Sequence, residues 1–391
     1  MAQFIFNKTL QELIVAADQK LVILDYLTQK IKHVVVLPTN LAELISDFKI
    51  ADIAYDEEEQ GSQDKLKNSQ NLKIAIQNVA LAPNGKTLAV STSGIKTLIL
   101  FTKVDEFKWE ILSVRKSNRA SSALTFSPDS KLILLCDKSG DCFLYTCDIN
   151  PPKWILGHLS SIYDVKFSFD GKYILTADRD EKIRVTNYPN SYEIESYCLG
   201  HKEYVCSIEI LENHPNILVS FSGDKTFRLW KWREGLQLVK EELPAPGVKM
   251  VVRTVTSNLY ELAFLIFQPN DCLFTYTLEI KDYETINITK NKCISVQELI
   301  ITNINYIEGA LLASVFQNNK LGIMLFNTDS SSDLDKFQNL KMNIETEFQS
   351  STLTEPEDIS SWFKKKFDNV SDYLQRKRQR LESKKNKKTY N

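Results

Sequence analysis

The sequence predicts an all-β fold assembled from four-stranded repeats, and three observations carry this prediction. The pair Gly157-His158 recurs as Gly200-His201, 43 residues later. Asp180, in an acidic turn, recurs as Asp224 after 44 residues. Each copy also holds short apolar runs separated by polar turns, a pattern typical of antiparallel strands. Because a period of about 40–45 residues with these features is typical of one propeller blade, we predict a WD40-type β-propeller.

Polar residues shared by the two copies predict a hydrogen-bonded relay inside each blade. In the second copy the relay residues are His201, Ser220, Asp224 and Trp230, and in the first copy they are His158, Thr176 and Asp180. Thr186 stands in the first copy where the second has its tryptophan. A relay would satisfy polar groups whose unpaired burial costs about 1–3 kcal/mol each. Paired His and Asp could instead serve catalysis or metal binding, but their recurrence without a third ligand favours a structural role.

Weaker versions of the same strand rhythm predict three blades before this pair and two after it, which gives seven. The first contains Phe4–Phe6, Leu13–Ala16, Leu21–Leu24 and Ile31–Leu37. The second and third contain Val79–Pro83, Leu88–Val90, Lys96–Phe101, Leu124–Pro128, Leu132–Cys136 and Asp141–Tyr145. The sixth and seventh contain Val248–Thr256, Glu261–Phe267, Cys272–Leu278, Ile294–Thr302, Ala310–Phe316 and Leu321–Phe326. We expect the N-terminal strands to meet the last blade and close the ring.

Three segments depart from this rhythm. The propeller is predicted over residues 1–327, with an acidic loop insertion at about 52–70. The Ser- and Thr-rich segment 328–355 is interpreted as a linker. Residues 356–391 are predicted to form an amphipathic, basic helix, because Ile359, Phe363, Phe367, Val370, Leu374 and Leu381 recur at mostly helical spacing.

The tail concentrates positive charge. Residues 356–391 hold 11 Lys/Arg and 5 Asp/Glu, a net charge of +6, so the other 355 residues carry −8 of the total of −2. Such a basic segment could be a nuclear localisation signal, a phosphate-binding arm or simply a solvated helix end. The residues considered for RNA contact or nuclear localisation are Arg376, Lys377, Arg378, Arg380, Lys384 and Lys385.

The sequence offers little material for chemistry. It contains none of the phosphate-loop, dinucleotide-binding, zinc-protease or nucleophile-elbow motifs, and it has only four histidines. We therefore predict no catalytic, cofactor-binding or metal-binding residues. Seven scattered cysteines without a Cys-x-x-Cys pair indicate reduced core thiols. No apolar run approaches 18 residues, so no membrane partner is expected.

One block is more specific than a generic WD repeat. The run TADRDEKIRV at 176–185, the turn YPNS at 188–191 and ESYCLGH at 195–201 together resemble the WD-repeat, non-catalytic subunit of the eukaryotic tRNA (guanine-N7)-methyltransferase. CDKSGD at 136–141 and KKFDNVSDYLQRK at 365–377 agree with this family. The resemblance covers the third to fifth predicted blades and the tail.

The resemblance implies a seven-bladed scaffold, without a cofactor, that forms a heterodimer with a separate catalytic subunit. That subunit would carry the S-adenosylmethionine site and form N7-methylguanosine in the variable loop of tRNA. It also implies a contact with the catalytic subunit at Arg184 and Lys182, followed by Arg179, Glu181 and the ambiguous Asp180. The expected location is the nucleus, with the cytoplasm as a second location.

Two other functions remain open. A substrate receptor of a cullin-type ubiquitin ligase would need a Trp-Asp-x-Arg box, and the nearest candidate, Trp230-Lys231-Trp232-Arg233, has lysine in place of aspartate. In a direct RNA-binding propeller, the tail and basic edge residues would contact phosphates, and binding would weaken steeply as salt rises. A scaffold beside a tRNA enzyme could also touch the tRNA.

Overall fold

A computed structural model describes residues 2–38, 74–117, 119–148, 150–268, 272–281, 285–296, 299–327, 337–351, 358–364 and 373–380. The acidic insertion predicted at 52–70 lies outside the described residues, as do Lys384 and Lys385. Within the described part of the chain, 27 strands form six four-stranded sheets and one three-stranded sheet. The predicted seven-bladed propeller is confirmed.

Each blade is an antiparallel meander of consecutive strands. Blade 1 holds β1 (Gln3–Asn7), β2 (Glu12–Ala17), β3 (Lys20–Asp25) and β4 (Ile31–Val36). Blade 2 holds β5 (Ala75–Leu81), β6 (Thr87–Ser93), β7 (Thr97–Lys103) and β8 (Trp109–Lys116). Blade 3 holds β9 (Ser121–Phe126), β10 (Leu132–Asp137), β11 (Asp141–Thr146) and β12 (Lys153–Gly157). Blade 4 holds β13 (Ile162–Phe167), β14 (Tyr173–Asp178), β15 (Ile183–Asn187) and β16 (Ile194–Cys198).

The remaining blades follow the same order. Blade 5 holds β17 (Val205–Leu211), β18 (His214–Ser222), β19 (Thr226–Lys231) and β20 (Leu236–Glu242). Blade 6 holds β21 (Gly247–Thr254), β22 (Leu259–Ile266), β23 (Leu273–Ile280) and β24 (Ile286–Ile294). Blade 7 holds β25 (Ile300–Ile307), β26 (Ala310–Gln317) and β27 (Lys320–Asn327).

The core lies between neighbouring blades. Middle strands such as β2 are buried along their whole length because a blade covers each of their faces, whereas outer strands such as β16 are largely exposed. Between blades 4 and 5, Leu175 and Val185 pack in one cluster with Leu218 and Trp230. Burial of each such side chain stabilises the fold by about 1.5–3 kcal/mol.

The ring closes where blade 7 meets blade 1, as predicted. The innermost strands β25 and β1 pack against each other. Side-chain amides join them, since Asn303 Nδ2 donates to the Ala2 carbonyl at 2.8 Å and Asn305 Nδ2 donates to the Phe4 carbonyl at 2.8 Å. Polar side chains on β25 therefore hold the start of the chain in place.

The segment interpreted as a linker contains a packed helix, so that interpretation was wrong for residues 337–351. Helix α1 (Gln338–Glu347) packs against β27 and β3. Its buried residues and flanking aromatics are spaced by three and four residues: Phe337, Leu340, Ile344 and Phe348. Glu345 also accepts a hydrogen bond from the Ile323 backbone N–H of β27 at 2.9 Å. The polar composition of the segment hid an apolar helical stripe that covers the junction of blades 7 and 1.

The tail contains helix, but the helix does not run continuously from residue 356 as predicted. A short 3-10 turn spans Ile359–Trp362, and Phe363 then adopts an extended conformation with φ −66° and ψ 147°. Residues 373–380 are helical. Before this break, Ile359 is buried and the Trp362 ring packs against Tyr163 of the propeller.

Two cysteines differ from the predicted reduced thiols. Cys136 on β10 and Cys142 on β11 are directly opposite each other in the strand pairing and form a disulfide. Both side chains are fully buried. The sequence analysis missed this pair because a six-residue spacing has no cysteine signature until the hairpin register is known.

Candidate partner-binding surface

One end of the ring gathers two kinds of loop. The four strands of a blade alternate in direction, so the turn between its second and third strands lies at the same end as the connection from the preceding blade. We call this end the upper face and the opposite end the lower face. On blade 4 the upper face consists of the β14–β15 turn, residues 179–182, and the β12–β13 connection, residues 158–161.

Blade 5 contains the complete predicted relay. Trp230 Nε1 donates to Ser220 Oγ at 2.8 Å, and Ser220 Oγ lies 2.7 Å from His201 Nε2. Since the serine hydroxyl accepts from the indole, its own proton goes to Nε2, and His201 Nδ1–H donates to Asp224 Oδ2 at 3.0 Å. The relay joins the connection from blade 4, two strands of blade 5 and the β18–β19 turn.

Blade 4 contains a relay with a different acid. His158 Nε2 lies 2.9 Å from Thr176 Oγ1, as predicted, but His158 Nδ1 lies 2.9 Å from Asp178 Oδ2. The prediction of Asp180 as the relay acid was therefore wrong. Asp178 is the last residue of β14, and Ser222 occupies the equivalent position in blade 5. The acid of the blade 5 relay, Asp224, lies two residues further along its blade. The carboxylate closer to the strand takes the imidazole in blade 4, and Asp180 is released to the surface.

Asp178 also fixes the shape of the turn. Its second oxygen, Oδ1, accepts from the Lys182 backbone N–H at 3.0 Å. Asp137 does the same in blade 3, where Oδ1 accepts from the backbone of Ser139 and Asp141. Glu181 adopts a left-handed φ of 73°, as Lys225 does in blade 5 with 67°. The turn that carries the predicted partner contacts therefore has a defined backbone conformation.

Both relay histidines are neutral at physiological pH. Burial lowers the pKa of His158 and of His201, and the hydrogen bonds from each ring to its aspartate only partly oppose this effect. Burial alone would raise the pKa of Asp224, but hydrogen bonds from His201, Thr226 and the Lys202 backbone outweigh it and hold that pKa below its usual range. A neutral histidine that bonds to an aspartate recurs in both blades. This recurrence supports a structural role for the two relays.

The C-terminal segment 358–364, which we call the clasp, packs across the upper face of blades 4 and 5. The Trp362 ring lies 5.0 Å from the Tyr163 ring and 5.4 Å from the Tyr204 ring. Phe363 lies edge-on to Tyr204 with a centroid distance of 5.1 Å. Ile359 is buried. Such aromatic pairs contribute about 0.5–1.5 kcal/mol each beyond the area they bury, so the clasp is firmly seated.

Polar contacts join the clasp to the predicted interface residues. Arg179 donates from Nε to the Trp362 carbonyl at 3.2 Å and from Nη2 to the Phe363 carbonyl at 2.9 Å. Lys364 Nζ donates to Glu181 Oε1 at 2.8 Å and lies 3.8 Å from Asp180 Oδ1. Three of the five residues predicted to contact a partner are therefore occupied by the tail of the same chain.

The other two predicted contact residues differ from each other. Lys182 is exposed, and its ammonium group has no hydrogen-bonding partner within the described residues. Arg184 lies within the blade, where its Nη1 donates to the Gly157 carbonyl at 3.0 Å and burial lowers its pKa. Lys182 is thus free to reach another molecule, whereas Arg184 supports the loop from inside.

The basic residues of the tail that fall in the described part of the chain share one helical segment. Arg376, Lys377, Arg378 and Arg380 lie within residues 373–380, all of which are exposed. Lys377 Nζ lies 5.9 Å from the centre of the Tyr373 ring. This segment presents positive charge to solvent.

The central channel of the ring encloses about 1100 Å³ and is bordered at one mouth by Ile359, Ser361 and Trp362 of the clasp. Inside it, Lys166 Nζ pairs with Glu209 Oε2 at 2.6 Å and so joins blades 4 and 5. Burial lowers the pKa of Lys249, also in the channel, to about 8. The described residues contain no group of three or more His, Cys, Asp or Glu side chains that could hold a metal ion.

Sequence reasoning missed the clasp residues Trp362 and Lys364 as contacts of the predicted interface. It assigned Trp362 to the flank of a helical stripe, and no local pattern relates it to Tyr163, almost 200 positions earlier. Nor did it single out Leu159 on the β12–β13 connection. The one available signal for Leu159 was its place in the repeat, where the second copy has Lys202. None of the described helices is long and apolar enough to span a membrane.

The ring of seven blades and its His–Asp relays define a WD-repeat β-propeller. A chain in the crystal structure of a mitotic checkpoint complex shares this fold, with a TM-score of 0.61 at 12% identity, over 82% of this chain and 88% of that one. The family model described as the tRNA methyltransferase TRM82 WD40 domain matches residues 28–153 and 145–350. The chain therefore belongs to that family.

Relatives from flies agree with this assignment. The chain is 38% identical over 329 residues to a protein of Drosophila mojavensis, which covers 81% of this chain and 84% of that protein. It is 36% identical over 385 residues to one of Drosophila grimshawi, with 96% and 98% covered. The Drosophila melanogaster relative is 39% identical over 327 residues, with 80% and 76% covered. All three are named tRNA (guanine-N(7)-)-methyltransferase non-catalytic subunit wuho, so the chain is classed with non-catalytic subunits.

Proposed function

We propose that this chain binds and stabilises the catalytic subunit of a tRNA (guanine-N7)-methyltransferase, as its non-catalytic partner in a heterodimer. The catalytic subunit would form N7-methylguanosine in the variable loop of tRNA. Family membership and the names of the fly relatives support this proposal. The proposal is placed on a surface by the β14–β15 turn of blade 4, which is charged, has a fixed conformation and exposes Lys182.

A fixed turn suits a scaffold because little conformational freedom is lost when a partner docks. Asp178 holds the turn from below, and the clasp holds Arg179, Asp180 and Glu181 from the side. A partner would therefore meet the turn and the clasp as one surface. Lys182, whose ammonium group has no partner within the described residues, is the residue of the five best suited to pair with a carboxylate of the catalytic subunit. Arg184 would support that contact through the Gly157 carbonyl.

The test is a binding measurement with the full-length chain and the catalytic subunit from the same cells. Isothermal titration calorimetry of the wild type should give a 1:1 complex, and the complex should methylate tRNA faster than the catalytic subunit alone. Lys182→Glu should weaken binding about tenfold or more, since it reverses a charge at the contact. Lys172→Glu is the matched control, because Lys172 is exposed on the lower face of the same blade. Absence of any complex with the wild type would overturn the proposal.

The basic helical segment supports an accessory contact with tRNA and import into the nucleus. Arg376, Lys377, Arg378 and Arg380 are all exposed within residues 373–380. Removal of one cation that binds a phosphate should reduce the slope of log K against log salt by about 0.7–0.9. A variant with all four residues changed to Ala should bind tRNA more weakly in the heterodimer, with a shallower salt slope. The same variant, tagged with a fluorescent protein, should lose nuclear enrichment; unchanged tRNA affinity and unchanged location would remove both roles from this segment.

A further inference from the structure

Leu159 has no role in the packing of the propeller. It lies in the β12–β13 connection on the upper face, and its side chain is fully exposed. The equivalent position in the next blade, directly after the relay histidine, holds Lys202. The fold therefore accepts a charged side chain at this position. A leucine here exposes apolar surface that the propeller itself does not require.

Single exposed leucines are common and need a second observation before they indicate a function. Here that observation is the rigidity of the loop that carries Leu159. The His158 backbone N–H donates to the Gly140 carbonyl at 2.9 Å, and the Arg179 N–H donates to the Ser161 carbonyl at 2.9 Å. Ser161 Oγ donates to the Lys138 carbonyl at 2.7 Å, and the His158 ring is held in the relay. Leu159 therefore projects into solvent from a loop that is fixed by hydrogen bonds at both ends.

The leucine also borders a cleft that reaches the proposed interface. This cleft, of about 610 Å³, lies between the β12–β13 connection and the clasp. Three of its lining residues are cationic, namely Lys138, Arg179 and Lys364, and one is the carboxylate Asp180. Within the described residues Arg179 bonds only to carbonyl oxygens of the clasp, so its charge is not neutralised by them, whereas Lys364 pairs with Glu181. The cleft therefore joins an apolar rim to the positive charge of Arg179.

We propose that Leu159 is the apolar anchor of this surface, and that the cleft beside it receives a segment of the catalytic subunit that carries an apolar side chain next to carboxylates. This inference rests on the proposed function and deepens it by naming the chemistry of the docking segment. Apolar anchors held rigidly at the centre of an interface carry much of its binding free energy, while the charges around them fix orientation. Lys182, on the turn that borders the same cleft, extends this surface.

The experiment compares full-length variants by calorimetry against the catalytic subunit. Leu159→Asp should weaken the complex about tenfold or more, because it removes the anchor and adds a charge that repels carboxylates. Leu159→Met should bind like the wild type. Leu27→Asp is the matched control, since Leu27 is 72% exposed in the β3–β4 hairpin on the lower face. Circular dichroism should be unchanged in all three variants because neither leucine packs in the core.

The outcomes separate this inference from the function on which it rests. If the wild type binds the catalytic subunit and Leu159→Asp binds equally well, the anchor role is wrong while the scaffold function stands. If the wild type does not bind, the proposed function itself fails. If Leu159→Asp weakens binding of tRNA to the isolated chain as strongly as it weakens binding of the catalytic subunit, the surface belongs to RNA and the inference is overturned.

Discussion

Blades 4 and 5 carry the same sequence repeat and use it differently. In blade 5, His201, Ser220, Asp224 and Trp230 form an unbroken relay that points into the blade. In blade 4 the relay ends at Thr176, Thr186 replaces the tryptophan, and Asp178 takes over from Asp180. The loop side chains of blade 4 instead contact the clasp and solvent. In a propeller with several equivalent blades, one blade can thus use the repeat to stabilise the fold, while another uses its loop residues for contacts outside the blade.

The largest expected effect comes from making blade 5 resemble blade 4. Trp230→Thr removes a fully buried indole that lies between blades 4 and 5 and donates to Ser220. Large-to-small changes of this kind in a core cost about 3–5 kcal/mol. The midpoint of urea unfolding should therefore fall sharply. A loss below about 1 kcal/mol would mean that the relay of blade 5 does not hold the two blades together.

The clasp offers the corresponding test on blade 4. Trp362→Ala removes the ring contacts with Tyr163 and Tyr204, and we expect it to release the clasp at a cost of about 2 kcal/mol in local opening free energy. Hydrogen–deuterium exchange of a peptide covering residues 358–364 should speed up about 30-fold, since 1.4 kcal/mol is tenfold. Phe107→Ala, at a ring that is 59% exposed in blade 2, should leave that peptide unchanged. Equal exchange in the wild type and Trp362→Ala would show that the aromatic contacts do not hold the clasp.

The contrast between the blades also explains what the sequence could predict. The Gly-His and Asp repeats, and the strand rhythm around them, determine seven blades because every blade must bury both faces against its neighbours. The choice between Asp178 and Asp180 depended on where β14 ends, and two acids in one turn leave that open until the register is known. One local hint is that blade 5 has Ser222 where blade 4 has Asp178.

Two elements could not be predicted from the sequence, namely the clasp and helix α1. The clasp depends on contacts between residues distant in sequence, and the apolar positions of helix α1 lie in a segment of polar composition. Trp362 reaches Tyr163 and Tyr204 only because the ring brings the tail back over blades 4 and 5. Helix α1 was missed because the polar residues around it outweighed four apolar positions with helical spacing. Both elements lie outside the repeat, so the period that determined the blades carried no information about them.

The acid stability of the protein should depend on its neutral histidines. The pKa of His158 and that of His201 are lowered in the folded state, so the unfolded state binds more protons below a pH of about 6.5. The free energy of unfolding should therefore decrease between about pH 6.5 and 5.5, by at most about 1.4 kcal/mol per pH unit for each histidine. His158→Gln, which keeps a donor and an acceptor, should make the decrease shallower. A decrease of equal steepness in that variant would show that His158 does not contribute.

The smallest expected effect is also the sharpest comparison within blade 4. Thr186 is fully buried and stands where blade 5 has Trp230, and its hydroxyl has no hydrogen-bonding partner in the described part of the chain. Thr176 is equally buried, but its hydroxyl bonds to His158. An unpaired buried hydroxyl costs free energy, whereas removal of a paired one costs more because it leaves its partner unsatisfied.

The same replacement at these two positions should therefore have opposite outcomes. Thr186→Val should leave the free energy of unfolding unchanged or raise it by up to about 1 kcal/mol, because only an unsatisfied group is removed. Thr176→Val should lower it by about 1–3 kcal/mol, because His158 Nε2 loses its partner while Nδ1 stays bonded to Asp178. Urea unfolding of both variants measures the difference directly. Equal decreases at both positions would mean that the Thr186 hydroxyl is satisfied after all, and that the relay of blade 4 extends as far as that of blade 5.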